Sequence, residues 1–313
     1  MHIEIRKRGK RRLYYLAHSF RDNGKIRKIR RYLGADLEKE RLKALREQAE
    51  MSIMQQLEAY RRMSDPLHAA LSEKEKKELE TLIAKGDLKI THLSEEEWTR
   101  FTEMFTYDTN AIEGSTITAT EVRGILERNQ WPNKSKGDIS ETYGVAEAVK
   151  FIRETKEHIS LELIKKLHYI VFRNSKIFAG RFRGKGIEVV VADRLGNVIH
   201  RGAPQKNVPG LLKELMAWYE NSNKKYHPIV LAAVVHNQFE NIHPFQDGNG
   251  RVGRLLLNYV LIKHGMPPVN IELKNRMEYY SALQAYQNQG DIRPTIELIM
   301  KEYKELRKSL KGV

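Results

Sequence analysis

His243-Pro244-Phe245-Gln246-Asp247-Gly248-Asn249-Gly250-Arg251-Val252-Gly253-Arg254 places an imidazole, a carboxylate, two amides, three glycines and two guanidiniums in twelve residues. The stretch follows one helical pattern, Ile229 to Asn241, and opens another, Arg251 to His264. A Gly-Asn-Gly loop lets backbone N–H groups converge on an anion, and a helix N-terminus adds partial positive charge, so phosphate is the expected guest. Asp247 is placed to hold Mg2+ bridging phosphate oxygens. Arg251 and Arg254, three apart on one helix, share a side and can make bidentate contacts. His243 suits a general base, since an unperturbed imidazole titrates at about 6.5. His236, one heptad earlier, falls behind the site as a core or supporting histidine.

Other glycine patterns fit this stretch less well. Gly248, Gly250 and Gly253 have the dinucleotide-loop spacing, and Glu272 follows at about the expected distance. That fingerprint needs a strand running into its first Gly, whereas Pro244 and a polar loop intervene here. An EF-hand loop beginning at Asp247 would need Gly and Glu where Val252 and Asn258 stand. The Lys-Ser/Thr of a Walker loop is absent.

The stretch resembles the signature of the Fic/Doc (Fido) family, H-P-F-x-D/E-G-N-G-R-x-x-R, at every defined position. The resemblance extends from about Ser94 to the C-terminal helix. It implies a mainly α fold, a Fic-type helical core with one β-hairpin flap, and transfer of AMP from ATP to a Ser, Thr or Tyr hydroxyl of a target protein. On that resemblance His243 deprotonates the target and Asp247 carries Mg2+. Gly248, Asn249 and Gly250 cradle the α- and β-phosphates, Arg251 and Arg254 secure the phosphate tail, and a buried Phe245 anchors the loop. The flap, Ile187, Glu188, Val189 and Val190, aligns the target segment by strand addition. Tyr280 is the first choice for a tyrosine against adenine, although Met277, Tyr280 and Leu283 also have the spacing of a core stripe. Thr109-Asn110-Ala111-Ile112-Glu113-Gly114 is similar to the family's inhibitory pattern, S/T-x-x-x-E-G/N. It implies that Glu113 pairs with Arg254 in the place of the ATP γ-phosphate; the other reading makes Thr109 and Glu113 a plain helix end. Removal of AMP, transfer of UMP or phosphocholine, and phosphorylation stay open on the same fold, though Gly248-Asn249 favours nucleotidyl transfer.

Composition bounds the rest. Of 313 residues, 41% are hydrophobic and 30% charged, as in a globular chain. No apolar run approaches the roughly 18 residues of a membrane span. The first residues lack a secretory apolar region, so a cytoplasmic chain without a membrane partner is expected. With no cysteine, disulfides, thiolate catalysis and Cys-based metal sites are excluded. The net charge is +15, and residues 1–35 alone hold twelve Lys or Arg against Glu4 and Asp22. A block of this kind attracts polyanions, so DNA or RNA is an expected partner of residues 1–35, without strong sequence preference. The alternatives are a solvated sheet edge, or docking on acidic helix faces between Glu73 and Glu97. Homo-oligomerisation is left open.

Three regions are expected: a basic β-module over 1–35, a helical linker region over 36–93, and a catalytic region over 94–313 that includes the inhibitory helix. In the first, Asn23-Gly24 signals a hairpin, and Ile26, Ile29 and Tyr32 are expected to meet Leu13, Tyr15 and Leu16. Helical spacing runs from Asp36 to a stop at Pro66, from Ser72 to a stop at Gly86, and from Ser94 to Ile112. Further helices are expected to start near Thr118, Asp138 and Ser160. Ile187–Val191 and Val198–His200 read as a hairpin about a turn at 193–197. Helices resume at Val208–Glu220, then at the two flanking the signature, then at Asn275–Gln287 and Thr295–Ser309.

Overall fold

Hydroxyl side chains stand where the apolar stripes begin, and the helices start there. Ser94 Oγ accepts the Glu97 N–H at 3.2 Å, while the Glu97 carboxylate accepts the Ser94 N–H. Thr118 and Glu121 repeat this reciprocal cap, and Ser160 Oγ accepts the Leu163 N–H. Each such pair satisfies donors that a helix start leaves open. The helix expected from Asp138 begins earlier, because Ser135 Oγ accepts the Asp138 N–H and makes Ser135 the cap.

The computed structural model describes residues 1–22, 25–64, 72–84, 93–192 and 198–311. The expected turns at Asn23-Gly24 and 193–197 and the stops at Pro66 and Gly86 lie outside the described residues. The chain divides into two compact units, Met1–Asp65 and Pro66–Val313.

In the first unit β1 (His2–Arg8), β2 (Arg11–Asp22) and β3 (Lys25–Ala35) form an antiparallel sheet in that order, followed by α1 (Lys39–Ser64). Leu16 and Ile29 of the sheet bury against Ala49, Ile53 and Leu57 of α1. A small meander cannot bury its own apolar face. The helix supplies the cover, so this unit runs past residue 35 to Asp65. Tyr15 lies opposite Tyr32, with ring centroids 5.3 Å apart. Ile26, expected in the same cluster, is 73% exposed. Strand side chains alternate, so Ile26 and Tyr32 share one face while Ile29 takes the other.

The second unit holds α2 (Glu73–Ala84), α3 (Glu95–Ile112), α4 (Ala119–Arg128), α5 (Lys136–Glu154), α6 (Leu161–Phe172), a hairpin of β4 (Val190–Ala192) and β5 (Val198–Arg201), then α7 (Val208–Ser222), α8 (Pro228–Ile242), α9 (Asn249–Lys263), α10 (Arg276–Gln289) and α11 (Arg293–Lys311). The unit is mainly α with one small hairpin, as expected. No helix among the described residues is long and apolar enough to cross a membrane. Ile229–Val235 is apolar on every side, which suits a helix enclosed by others, and α8 is buried along nearly its whole length. It packs on α9, α7, α10 and α11, and α9 also meets α3, α5 and α6. The loop between the two central helices carries His243 to Gly248.

Helices α5 and α6 approach closely at Gly144, where a Cβ would collide with the Val171 carbonyl. Gly137 of the same helix meets only Ser135 Oγ at 3.7 Å. Gly144→Ala is expected to lower stability by about 1–3 kcal/mol through overpacking. Gly137→Ala should be neutral or stabilising, by up to about 1 kcal/mol. Urea unfolding midpoints of the two variants check the contrast.

Candidate active site

Helix α8 ends abruptly because His243 adopts a left-handed backbone, φ 51°, at its C-cap. The ring Nδ1 lies 2.9 Å from the Glu240 carbonyl oxygen, which can only accept, so the proton sits on Nδ1 and Nε2 keeps the lone pair. Burial, with the His200 and Arg183 charges adding, depresses this imidazole to a pKa of about 4 against the pull of the Glu240 carbonyl. It is therefore neutral at pH 7.

The loop beyond is fixed from within. Asn249 closes a ring of two hydrogen bonds with Phe245: its Oδ1 accepts the Phe245 N–H at 2.8 Å, and its Nδ2 donates to the Phe245 carbonyl at 2.9 Å. Asn249 thus shapes the loop through its side chain. Phe245 is wholly buried and stacks on His168, centroids 3.9 Å apart. His168 Nδ1 accepts the Gly180 N–H at 2.9 Å, so its Nε2–H donates to the Asp247 carbonyl at 3.0 Å. Gly248 starts α9 at φ 81°, and a Cβ there would strike the Phe172 ring. No side chain caps α9, which leaves its first N–H groups facing the loop.

The two arginines of the signature divide. Arg254 is buried and fully engaged: Nε donates to Thr109 Oγ1 at 2.7 Å, and one terminal nitrogen donates to the Thr109 carbonyl at 3.0 Å and to Glu113 Oε1 at 2.8 Å. Its other terminal nitrogen reaches the Tyr279 hydroxyl at 3.3 Å. Thr109, Glu113 and Arg254 are thus brought together. Burial works against the charge of Glu113, but Arg254 and Arg251 prevail and hold its carboxyl below the usual range. A Cβ on Gly250 would collide with that carboxylate. Arg251 turns away beneath the loop, pairing with Glu141 and lying over the Phe172 ring at 4.5 Å.

Asp247 Oδ2 lies 2.9 Å from Lys176 Nζ, and its Oδ1 accepts the Gly248 N–H at 2.6 Å. These contacts keep its pKa low against the effect of burial. Glu240 behaves oppositely. Burial raises its carboxyl to about 8, so it is protonated at pH 7.

A cavity of about 320 Å3 gathers these groups. His243, Asp247, Gly248, Asn249, Gly250, Arg254 and Glu113 line it, with Val189 and Val190 of the flap and Tyr279 and Tyr280 of α10. Arg251, Thr109, Ile187 and Glu188 do not. A larger hollow between α2 and α11, about 630 Å3, is lined by Lys and Glu with no such convergence of donors, so size alone does not mark the site. Tyr280 is half-buried at the cavity wall, its hydroxyl 3.3 Å from the Ile112 carbonyl. Met277 is 73% exposed, so the stripe Met277–Tyr280–Leu283 is no continuous core face. Tyr279 is the core residue, bonded to His236 Nε2 at 3.1 Å. His236 is buried behind the site, as expected.

The flap is shorter than the expected Ile187–Val191 strand. Arg183 captures the Ile187 carbonyl at 3.0 Å and the Glu188 carboxylate at 3.1 Å, so regular pairing begins only at Val190, opposite Arg201. The same guanidinium donates to the carbonyls of His243 at 2.8 Å, of Ile242 at 3.3 Å and of Ala203. Arg183, His168, Glu141 and Lys176 are missed by motif reading because each supports the loop from a distant segment. Gly180-Arg181-Phe182-Arg183-Gly184, a basic and aromatic run between glycines, is the one local signal that pointed there.

Residues 158–261 match the model of the Fic/DOC family. A protein adenylyltransferase Fic of Nematostella vectensis is 35% identical over 200 residues, 62% of this chain and 45% of that protein. The namesake of Aedes aegypti is 36% identical over 204 residues, 62% and 38% of the two chains. The chain therefore spans less than half the length of these curated relatives. Residues 134–508 of Caenorhabditis elegans Fic-1 superpose with a TM-score of 0.62 at 27% identity, over 88% of this chain and 78% of that one. A Fic domain containing signaling protein of Bacteroides thetaiotaomicron shares the fold, with a TM-score of 0.63 at 24% identity, over 72% and 92%. The segment that matches the Fic/DOC family model, residues 158–261, holds the whole loop from His243 to Arg254 together with His168, Lys176 and Arg183.

Proposed function

We propose that this chain is an Mg2+-dependent, autoinhibited protein adenylyltransferase that moves AMP from ATP to a Ser, Thr or Tyr hydroxyl of a protein substrate. The observation that carries the reading is the meeting, in one cavity, of a neutral, half-buried imidazole with an uncapped helix start. The names of the curated relatives support it.

The hydroxyl proton passes to Nε2 of His243, whose Nδ1–H is steadied by the Glu240 carbonyl. The hydroxyl oxygen bonds to the α-phosphorus as the bond to the β-phosphate oxygen breaks, and pyrophosphate leaves. The first N–H groups of α9 face the phosphate oxygens where charge builds. Among the described residues no cluster of three or more His or acidic side chains could by itself cage a metal. Asp247 nonetheless fits Mg2+, which is commonly held by one or two carboxylates plus substrate phosphates. Bound there, the ion would neutralise phosphate charge. The β4–β5 hairpin beside the cavity offers backbone to an extended target segment.

Glu113 supports the inhibitory reading, because it already occupies the guanidinium that the nucleotide's terminal phosphate would need. Glu113→Gly should raise auto-modification about tenfold or more, the equivalent of freeing one charge-assisted bond of about 1.5 kcal/mol. Incorporation of label from α-labelled ATP at saturating nucleotide measures this. Unchanged or lower labelling by the folded variant removes the inhibitory role. Release of AMP from modified protein is assayed alongside, since the same change can alter reversal.

His243→Ala should lower labelling by about 10²- to 10⁴-fold, and a label that survives it would dismiss the base. The pH profile gives a separate check. A lowered imidazole pKa preserves the neutral base, so kcat/KM should hold as pH falls through 6.5 and drop only towards about 4. An acidic limb centred at about 6.5 would show instead that the active imidazole is solvated.

A further inference from the structure

One face of the N-terminal sheet packs on α1, and within the first unit no described element packs on the other. Register assigns the open face: Arg8 with Arg11, Arg6 with Leu13, and Glu4 with Tyr15 across β1–β2, then Tyr15 with Tyr32 and Ala17 with Arg30 across β2–β3. Arg6 lies over the Tyr15 ring at 5.2 Å, and Glu4 accepts from Arg30 Nε at 3.0 Å, contacts that only one shared face allows. The cations of this face are Arg6, Arg8, Arg11, Arg21, Lys28 and Arg30, all exposed, and the one carboxylate of the face, Glu4, pairs with Arg6, Lys28 and Arg30.

Their arrangement is more informative than their number. Arg6 and Arg8 stand on one outer strand and Lys28 and Arg30 on the other, while the central strand presents Leu13, Tyr15 and Ser19 between them, with Ala17 buried beneath. A hollow of about 590 Å3 opens on the same face, lined by Arg8, Arg11, Leu13, Tyr15, Tyr32 and Ala35. Two rows of cations flanking a weakly polar centre mirror a groove with phosphates along both rims and base edges on its floor. Two strand spacings of about 4.8 Å set the rows roughly 10 Å apart, and long side chains extend that reach. The B-DNA major groove is about 12 Å wide and admits β-structure, whereas the deep, narrow major groove of A-form RNA does not.

We infer that the open face of the β1–β2–β3 sheet is a docking surface for duplex DNA, seated in the major groove with Arg6, Arg8, Lys28 and Arg30 on the two phosphate rims. This interaction is independent of the nucleotide chemistry of the second unit.

The test is fluorescence anisotropy of the full chain with a mixed-sequence DNA duplex of about 20 base pairs, its single strand and the matching RNA duplex, at about 50 and 200 mM salt. The DNA duplex should bind tightest. The triple variant Arg6→Ala, Arg8→Ala, Arg30→Ala should lose at least about tenfold in affinity and about two to three units of the log–log salt slope. A control with the same loss of charge on the second unit, Lys213→Ala, Lys224→Ala, Lys225→Ala, should stay within about twofold. Glu4→Gln removes the one opposing carboxylate and should tighten binding, which keeps the test decisive if the triple variant misfolds. Absence of binding at low salt, equal losses in the control, tighter binding of either other probe, or no gain from Glu4→Gln would overturn the proposal.

Discussion

Arg183 takes no part in the chemistry of the cavity, yet the cavity depends on it. The last carbonyls of any helix lack partners within the helix, and at the end of α8 Ile242 is buried. One planar, permanently charged guanidinium serves the carbonyls of Ile242 and His243, then those of Ile187 and Ala203 at the base of the hairpin. The position of the imidazole and the position of the flap are therefore set by the same side chain. Gly202 completes the arrangement, because its hairpin end passes so close to His243 that an added Cβ would lie 2.9 Å from the His243 Cβ.

The electrostatics of the cavity follow from unequal access to positive charge. Glu113 and Glu240 both lie close to Arg254, but Glu113 takes the direct hydrogen bond and remains ionised. Glu240 gets only the weaker, longer-range attraction and is further repelled by Glu113, so burial wins and it holds its proton at pH 7. The imidazole beside it is neutral for the same reason of burial. Low-dielectric surroundings strengthen every remaining charge contact, which is how Arg251 and Arg254 can be held buried.

Much of this was legible in the chain. The helix order and the caps at Ser94, Thr118 and Ser160 follow from local pattern, because hydroxyl caps and apolar spacing act over a few residues, while the buried Phe245 comes with the family resemblance. The signature residues were legible for a related reason: His243, Asp247 and Gly248–Gly250 are contiguous and line one wall. Partners supplied by other segments were not. Arg251 looks like a ligand of the loop from its spacing, but Glu141, 110 positions earlier, claims it. The flap reads as a long strand from its run of β-branched residues, but a buried arginine competes for the carbonyl that strand pairing would use. Ile26 looks like core by composition, and only the period of the strand shows that it cannot share a face with Ile29.

The contact between Lys176 and Asp247 bears on how a dication could arrive. The carboxylate at the cavity's edge is already paired with an ammonium, which lowers its pull on free cations in solution. On the proposed reading, entry of a dication there would be an ion exchange: the Lys176 ammonium would leave as the metal entered, and its charge would need a new anion close by. A polyphosphate brings both the incoming cation and that anion in one encounter, whereas a bare metal ion brings only the first. On the proposed reading, this lysine would favour the metal and its phosphate chain as a single guest.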